Sequence, residues 1–282
     1  MNYRGAPSIP TRAANVTYMA GEDPDAVSES QRLAAYDTLR VRADNPGPLT
    51  LSGTNTWVLG RDPAYMVDPG PALESHIDRL LEVLGERGGL GGIALTHDHA
   101  DHSGAISSLR EQAPGALAGA RGNVDVLLED GVCFGPFQAM SIPGHSPDHF
   151  ALLAGPVCFT GDALLGEGSV FIAPDPGALS GYLKGLERLR GRTLEVLCPG
   201  HGPSIWDPQS KLTEYIDHRL DRERRLLQAL SAGVLTVADL LDWAWSDVPA
   251  QLRPVAAVTL AAHLDKLAEE GLLPEGVERP SW

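Results

Sequence analysis

The chain is poor in cysteine, in aromatic residues and in positive charge, and it has no long apolar run. Its three cysteines (Cys133, Cys158, Cys198) are odd in number, widely spaced and without a C-x-x-C pair. That excludes a disulfide framework, so they are expected to be buried thiols in a reducing compartment. No stretch reaches the roughly 18 apolar residues of a membrane span. The opening M-N-Y-R-G-A-P-S-I-P-T-R lacks the apolar centre of a secretory leader. A soluble, cytoplasmic protein with no membrane partner is therefore the expectation. Lys and Arg number 22 against 37 Asp and Glu, a formal charge of −15. The deficit is spread: residues 1–205 hold 14 basic against 24 acidic side chains, and 206–282 hold 8 against 13. Neither part attracts a phosphate backbone at long range, and DNA is not an expected partner.

What is present is a hydrophobic content of 43% in 282 residues, enough for one large domain and a small one. The most informative stretch is L-T-H-D-H-A-D-H-S-G (95–104), with three histidines and two aspartates in six positions. It follows the apolar run Ile93-Ala94-Leu95, a short buried strand by its pattern, and precedes a helix expected from Gly104 onward. Open α/β sheets present ligands at the carboxyl ends of strands. In an extended segment His97, His99 and Asp101 would point one way and His102 the other. Such a loop can serve two metal ions about 3.5–4 Å apart.

Residues 1–38 are a polar lead-in, and order is expected to begin at Leu39–Arg42, an alternating strand. After the N-P-G-P turn, strands are expected over Leu49–Leu59 and Ala64–Val67, the second ending in Asp68. Asp68 is either a turn residue or the carboxylate that fixes the tautomer of a ligand histidine. A crossover helix is expected over Ser75–Gly85 from Ile77, Leu80, Leu81 and Leu84, and another over Ala105–Gln112. Three further turns each present a metal-type side chain: His145 in I-P-G-H-S-P-D-H-F, Asp162 in F-T-G-D, and His201 in P-G-H-G-P. Seven candidate ligands result: His97, His99, Asp101, His102, His145, Asp162 and His201.

T-H-D-H-A-D-H-S-G resembles the HxHxDH signature of the metallo-β-lactamase superfamily, and P-G-H, G-D and P-G-H-G-P are similar to its later motifs in the same order. N-P-G-P-L-T-L-S-G-T-N-T (45–56), F-T-G-D-A-L-L-G-E-G-S-V-F (159–171) and E-Y-I-D-H-R (214–219) resemble the β-lactamase-like branch, which includes an endoribonuclease of single-stranded RNA. The resemblance covers residues 39–275. It implies a four-layer αββα sandwich with the metals at one edge (39–206) and a small C-terminal winged-helix domain (207–282). It also implies one zinc held by His97, His99 and His145, another by Asp101, His102 and His201, and Asp162 bridging. Manganese or iron would accept the same side chains. His149 matches a repeated histidine of the family, a candidate for hydrogen bonding to substrate or for a structural role.

Two zinc ions would acidify a bridging water to hydroxide near neutral pH, so the nucleophile needs no separate base. Asp101 would both ligate and orient it. In the C-terminal part a long helix is expected over Asp207–Ala229, its charged face (Arg219, Asp221, Arg222, Glu223, Arg224, Arg225) solvated. A helix from Thr236, a third over Pro254–Glu270 and an extended wing at G-L-L-P would follow. The third helix is mostly Ala and Leu, unlike a DNA-reading helix, and is expected to wall the substrate cleft instead. Three readings of the chemistry stand: hydrolysis of an ester or thioester in a small-molecule or acyl substrate, cleavage of single-stranded RNA, and a di-iron redox module, for which the flavodoxin-like partner domain is missing.

Overall fold

The computed structural model describes residues 28–281. Its contacts divide the chain into two units, the first holding residues up to Ser141 with Phe150–Glu167 and Leu194–Trp206, the second the remainder.

The first unit opens with the short helix α1 (Glu29–Ala34), where Ser28 and Gln31 form a reciprocal capping box. The expected lead-in lies outside the described residues up to position 27, and from Ser28 it is already structured. Strands β1 (Thr38–Arg42), β2 (Asn55–Leu59), β3 (Ala64–Val67), β4 (Leu90–Ala94), β5 (Ala116–Gly119) and β6 (Val126–Leu127) lie in chain order in one sheet. Pairing is antiparallel through β1, β2 and β3 and parallel from β3 to β6. Parallel neighbours need crossovers. These are α2 (Glu74–Glu86) between β3 and β4, and α3 (Ala100–Ser103) with α4 (Ile106–Gln112) between β4 and β5. The second sheet has the order β11, β10, β9, β8, β7, from β7 (Cys133–Phe134), β8 (Phe137–Ser141), β9 (Phe150–Ala154), β10 (Val157–Gly161) and β11 (Val196–Pro199). Within it only β10 and β11 run parallel.

Side chains alternate across a strand, and here both faces of the first sheet are covered. Trp57, Leu59, Val67 and Ala94 point into a core shared with Phe137, Leu152, Phe159 and Cys198 of the second sheet. Val58, Met66 and Ile93 point the other way, against Ile77, Leu80 and Leu84 of α2 and Leu109 of α4. That double burial explains continuous apolar runs in place of alternation.

The differences from expectation are local. The run expected from Leu49 becomes a strand only at Asn55, because residues 47–54 fold back on themselves through a Gly47–Leu51 bridge. The strand A-L-A-G is an addition to the expected elements; it is too short and small-chained to carry a period. Cys158 and Cys198 are buried thiols as expected, but Cys133 is exposed on the edge strand β7.

The second unit holds the loop 142–149, the segment 168–193 with α5 (Ala178–Arg190), and three C-terminal helices. These are α6 (Pro208–Ser231), capped by Asp207 with Pro at its start, α7 (Val237–Ala244), capped by Thr236, and α8 (Arg253–Glu269). Leu226, Leu230, Leu240, Leu241, Trp245, Leu260 and Leu264 form their common core. The described residues beyond α8 form no helix or strand, and Glu278 N donates to Leu235 O at 2.8 Å. The charged face of α6 is not the solvated face expected of it. Arg219 and Arg222 are buried, because each finds partners far along the chain: Arg222 grips Asp247 with both terminal nitrogens and donates to Ala244 O, and Arg219 donates to Val170 O and Ser169 Oγ. Leu220 of the same helix is exposed. No described helix is long and apolar enough to cross a membrane.

Candidate metal centre

Parallel strands point their carboxyl ends the same way, which fixes where the candidate ligands of the first unit appear. β3 and β4 deliver Asp68 and the 95–99 loop side by side, and β10 and β11 deliver Asp162 and the 199–203 turn. Backbone bonds tie these ends together: Asp68 N to Ala94 O at 3.1 Å, Phe150 N to Thr96 O at 2.7 Å, Asn55 N to Gly200 O at 2.7 Å and Gly200 N to Gly161 O at 2.9 Å. At Gly200 a Cβ would stand 2.5 Å from Asp162 Oδ1 and 2.6 Å from His102 Cε1, so only glycine lets the His201 turn approach this closely.

The second half of the histidine cluster is not extended. Residues 100–103 wind into α3, with His102 N donating to His99 O at 2.9 Å. A helical turn, rather than strand alternation, sets Asp101 and His102 beside His201. Ligand atoms of Asp101, His102 and His201 all lie within 4.8 Å of one another, as do those of Asp68, His97 and His102.

Asp68 organises the hydrogen bonds. It is 1% exposed and has a φ of 50°, a left-handed conformation uncommon for a residue with a side chain. Its Oδ1 accepts Thr96 N at 2.8 Å, and its Oδ2 accepts Thr96 Oγ1 at 2.7 Å and stands 2.9 Å from His102 Nδ1. The carboxylate receives the Nδ1 proton, so the network assigns the lone pair of His102 to Nε2. That atom is buried without a hydrogen-bond donor, facing Asp162 Oδ1 at 3.5 Å and Asp101 Oδ2 at 3.6 Å. His201 repeats the pattern. Its Nδ1 faces Gly53 O at 3.4 Å, and its Nε2 faces Asp101 Oδ2 at 3.3 Å and Asp162 Oδ1 at 3.5 Å. Thr96 Oγ1, having given its proton to Asp68, can only accept from His97 Nδ1 at 3.0 Å. Nε2 of His97 is then the acceptor in its hydrogen bond with His99 Nδ1 at 3.0 Å.

At His102 and His201, Nε2 thus faces carboxylate oxygens, an arrangement that positive charge alone reconciles. The electrostatics agree. Burial alone would lower the pKa of His102, but Asp162 and Asp68 overcome it and hold it well above the usual range. Burial also works against His201, yet Asp101 and Asp162 raise it to about 9. Asp162 is held well below the usual carboxylate range, where His102 and His201 outweigh the penalty of burial. Imidazole nitrogens and two carboxylates converging at one edge are a donor set that suits divalent first-row ions.

Of the seven candidate ligands, the first unit brings together His97, His99, Asp101, His102, Asp162 and His201. His145 and His149 sit in the second unit, on the loop 142–149, both buried. Ile142 N donates to His149 O at 2.9 Å, closing the loop, and the His145 ring lies 6.2 Å from that of His149 and 4.6 Å from that of Phe171. Three supporting residues escaped the sequence. Thr96 links Asp68 to His97, and only its place directly before the cluster hinted at that. Buried Asn55 holds the His201 turn through Pro199 O (3.0 Å) and Gly202 O (2.8 Å). His76, on the buried face of α2, stands 3.2 Å from Pro69 O beside Asp68, and burial helped by Arg79 lowers it to about 4.

Known proteins share this arrangement of sequence and fold. Residues 49–141 match the family model described as the Metallo-beta-lactamase superfamily, and 236–278 that of the Beta-lactamase associated winged helix domain. The chain is 31% identical over 265 residues to the Beta-lactamase-like protein 2 homolog of Caenorhabditis elegans, covering 86% of each. It is 32% identical over 233 residues to the Atrochrysone carboxyl ACP thioesterase of Aspergillus chevalieri, covering 75% of this chain and 74% of that one. The solved structure of a metallo-beta-lactamase family protein from Thermus thermophilus has the same fold, with a TM-score of 0.66 at 22% identity over 83% of this chain and 94% of that one.

Proposed function

Since the chain belongs to the metallo-beta-lactamase superfamily, we propose that it is a binuclear metal-dependent hydrolase of esters or thioesters, with zinc the expected metal. Members of the superfamily are generally hydrolytic and hold divalent metal ions, often two. The observation that carries the reading is the buried Nε2 of His102, which has no hydrogen-bond partner and is turned toward two carboxylates. His97, His99 and His145 would hold one ion and Asp101, His102 and His201 the other, with Asp162 shared between them. Two divalent ions held there supply a water acidified near neutral pH and an electrophile for the substrate's carbonyl oxygen.

The chain's own residues do the rest. Asp68 keeps the His102 proton on Nδ1 and so keeps Nε2 available. Asp101, about one-third exposed beside buried His102 and His201, can accept a hydrogen bond from the attacking water and orient it. His149 is assigned to hydrogen bonding with the substrate. The thioesterase among the relatives supports an acyl substrate, and the acidic charge balance permits one. The test is a pair of assays on the purified protein, one on a generic thioester and one on single-stranded RNA, each with a His102→Ala control. Thioester turnover that disappears in the control is the expected result. RNA cleavage lost in the control, with the thioester untouched, would move the protein to the endoribonuclease reading.

A further inference from the structure

Within the second unit, the loop that carries His145 rests on two supports. One is α5, whose small residues accept the loop closely. A Cβ at Gly181 would stand 2.9 Å from Pro143 Cγ, and one at Gly185, one turn on, 2.6 Å from Ile142 Cγ2. Tyr182 between them lies against Gly144, where a Cβ would stand 2.6 Å from the tyrosine Cβ and where φ is +155°. The other support is the strap 168–173. Ala173 N donates to Gly144 O at 2.9 Å, and the half-buried Phe171 lays its ring on His145, 4.6 Å between centroids.

The strap contains no helix or strand of its own and is held from the C-terminal helices. Tyr215 Oη donates to Gly168 O at 2.8 Å, Arg219 Nη2 donates to Val170 O and to Ser169 Oγ at 3.2 Å, and Ile172 N donates to Thr259 Oγ1 at 3.4 Å. Three side chains from α6 and α8 thus fix the strap on either side of Phe171. Arg219 is 2% exposed, and its guanidinium also lies 5.7 Å from the Tyr182 ring centre. A guanidinium buried this far is costly unless its bonds compensate. Here the compensation comes from the strap and from the tyrosine that cradles the loop, so one side chain braces both supports.

We propose that Arg219, seconded by Tyr215 and Thr259, is a positioning residue for the His145 imidazole, acting through the strap Gly168–Ala173 and the Phe171 ring. The inference rests on the reading that His145 is a ligand of one ion of a pair. It gives the C-terminal helices a task inside the chemistry: α6 and α8 set the aim of one ligand, and an error there unseats one ion while leaving the Asp68-anchored ligands as they were.

The test is zinc titration of the chelator-stripped full-length protein against a chromogenic zinc indicator. The wild type is compared with Arg219→Gln, Arg219→Lys, Phe171→Ala and Tyr215→Phe, and circular dichroism checks each fold. The expected result is that Arg219→Gln and Phe171→Ala weaken one of two zinc ions about 10–100-fold, the range for groups that orient a ligand, with the second ion unchanged. Arg219→Lys restores part of the loss and Tyr215→Phe shows a few-fold effect. If Arg219→Gln fails to fold, Phe171→Ala and Tyr215→Phe decide the question. A wild type with two ions whose folded variants titrate as it does overturns the inference alone. A wild type holding fewer than two ions overturns the ligand reading and the inference together.

Discussion

His102 and His263 are both 0% exposed, yet their surroundings make opposite things of them. His102 shares its pocket with three carboxylates, one of which fixes its tautomer, and its pKa is held well above the usual range in spite of burial. His263, on α8, has neither ring nitrogen hydrogen-bonded. Its edge meets Trp245, Glu223 stands off at 3.9 Å, and burial together with Arg219 and Lys266 drives its pKa well down. Burial alone does not make a ligand of histidine. A surplus of negative charge around it favours positive charge at the ring, and a surplus of positive charge leaves a neutral core residue.

The comparison breaks most visibly at Asp101. Asp101→Asn is expected to keep its metal while kcat falls about 100-fold or more, the scale of a lost proton-handling group. Metal content measured beside turnover checks it, and unchanged kcat at full occupancy would remove Asp101 from the chemistry. The next effect lies in pH. His76 is neutral in the folded chain down to about 4 but takes a proton near 6.5 when unfolded. Its contribution is therefore intact above pH 6.5 and is lost as pH falls through 4, about 3 kcal/mol over that window. His201 runs the other way in stripped protein: its stabilisation is full below pH 6.5 and is lost as pH rises through about 9. Urea unfolding of stripped protein across this range should show both limbs, with His76→Gln flattening the acid one. Asp68→Asn, which leaves a nitrogen opposite the His102 proton, is expected to weaken metal binding about 10–100-fold, read by chelator competition. The smallest effect belongs to the other pole. His263→Leu removes two unbonded nitrogens from a dry core and should change stability by about 1 kcal/mol or less, or improve it, with metal content unaltered. A matching loss of metal there would erase the contrast.

Much of the centre could be read from local pattern, because each candidate ligand of the first unit follows a short apolar strand and a tight turn. Parallel pairing of β3 with β4 and of β10 with β11 then brings the turns together. Residues whose roles depend on distant partners were hidden. Asn55 meets Pro199 across 144 positions, Arg219 meets Val170 across 49 and Arg222 meets Asp247 across 25. Arginines on a charged helix read as solvated until those partners are known. The extended geometry expected of residues 97–102 failed for a related reason: the cluster carries no period, and His102 N bonds back to His99 O.

The most direct test is elemental analysis of the purified wild-type chain beside His102→Leu. Two divalent ions per wild-type chain, at least one of them lost in the variant, is the result the account predicts. Fewer than one ion per wild-type chain, or a variant that keeps its full complement, would contradict it.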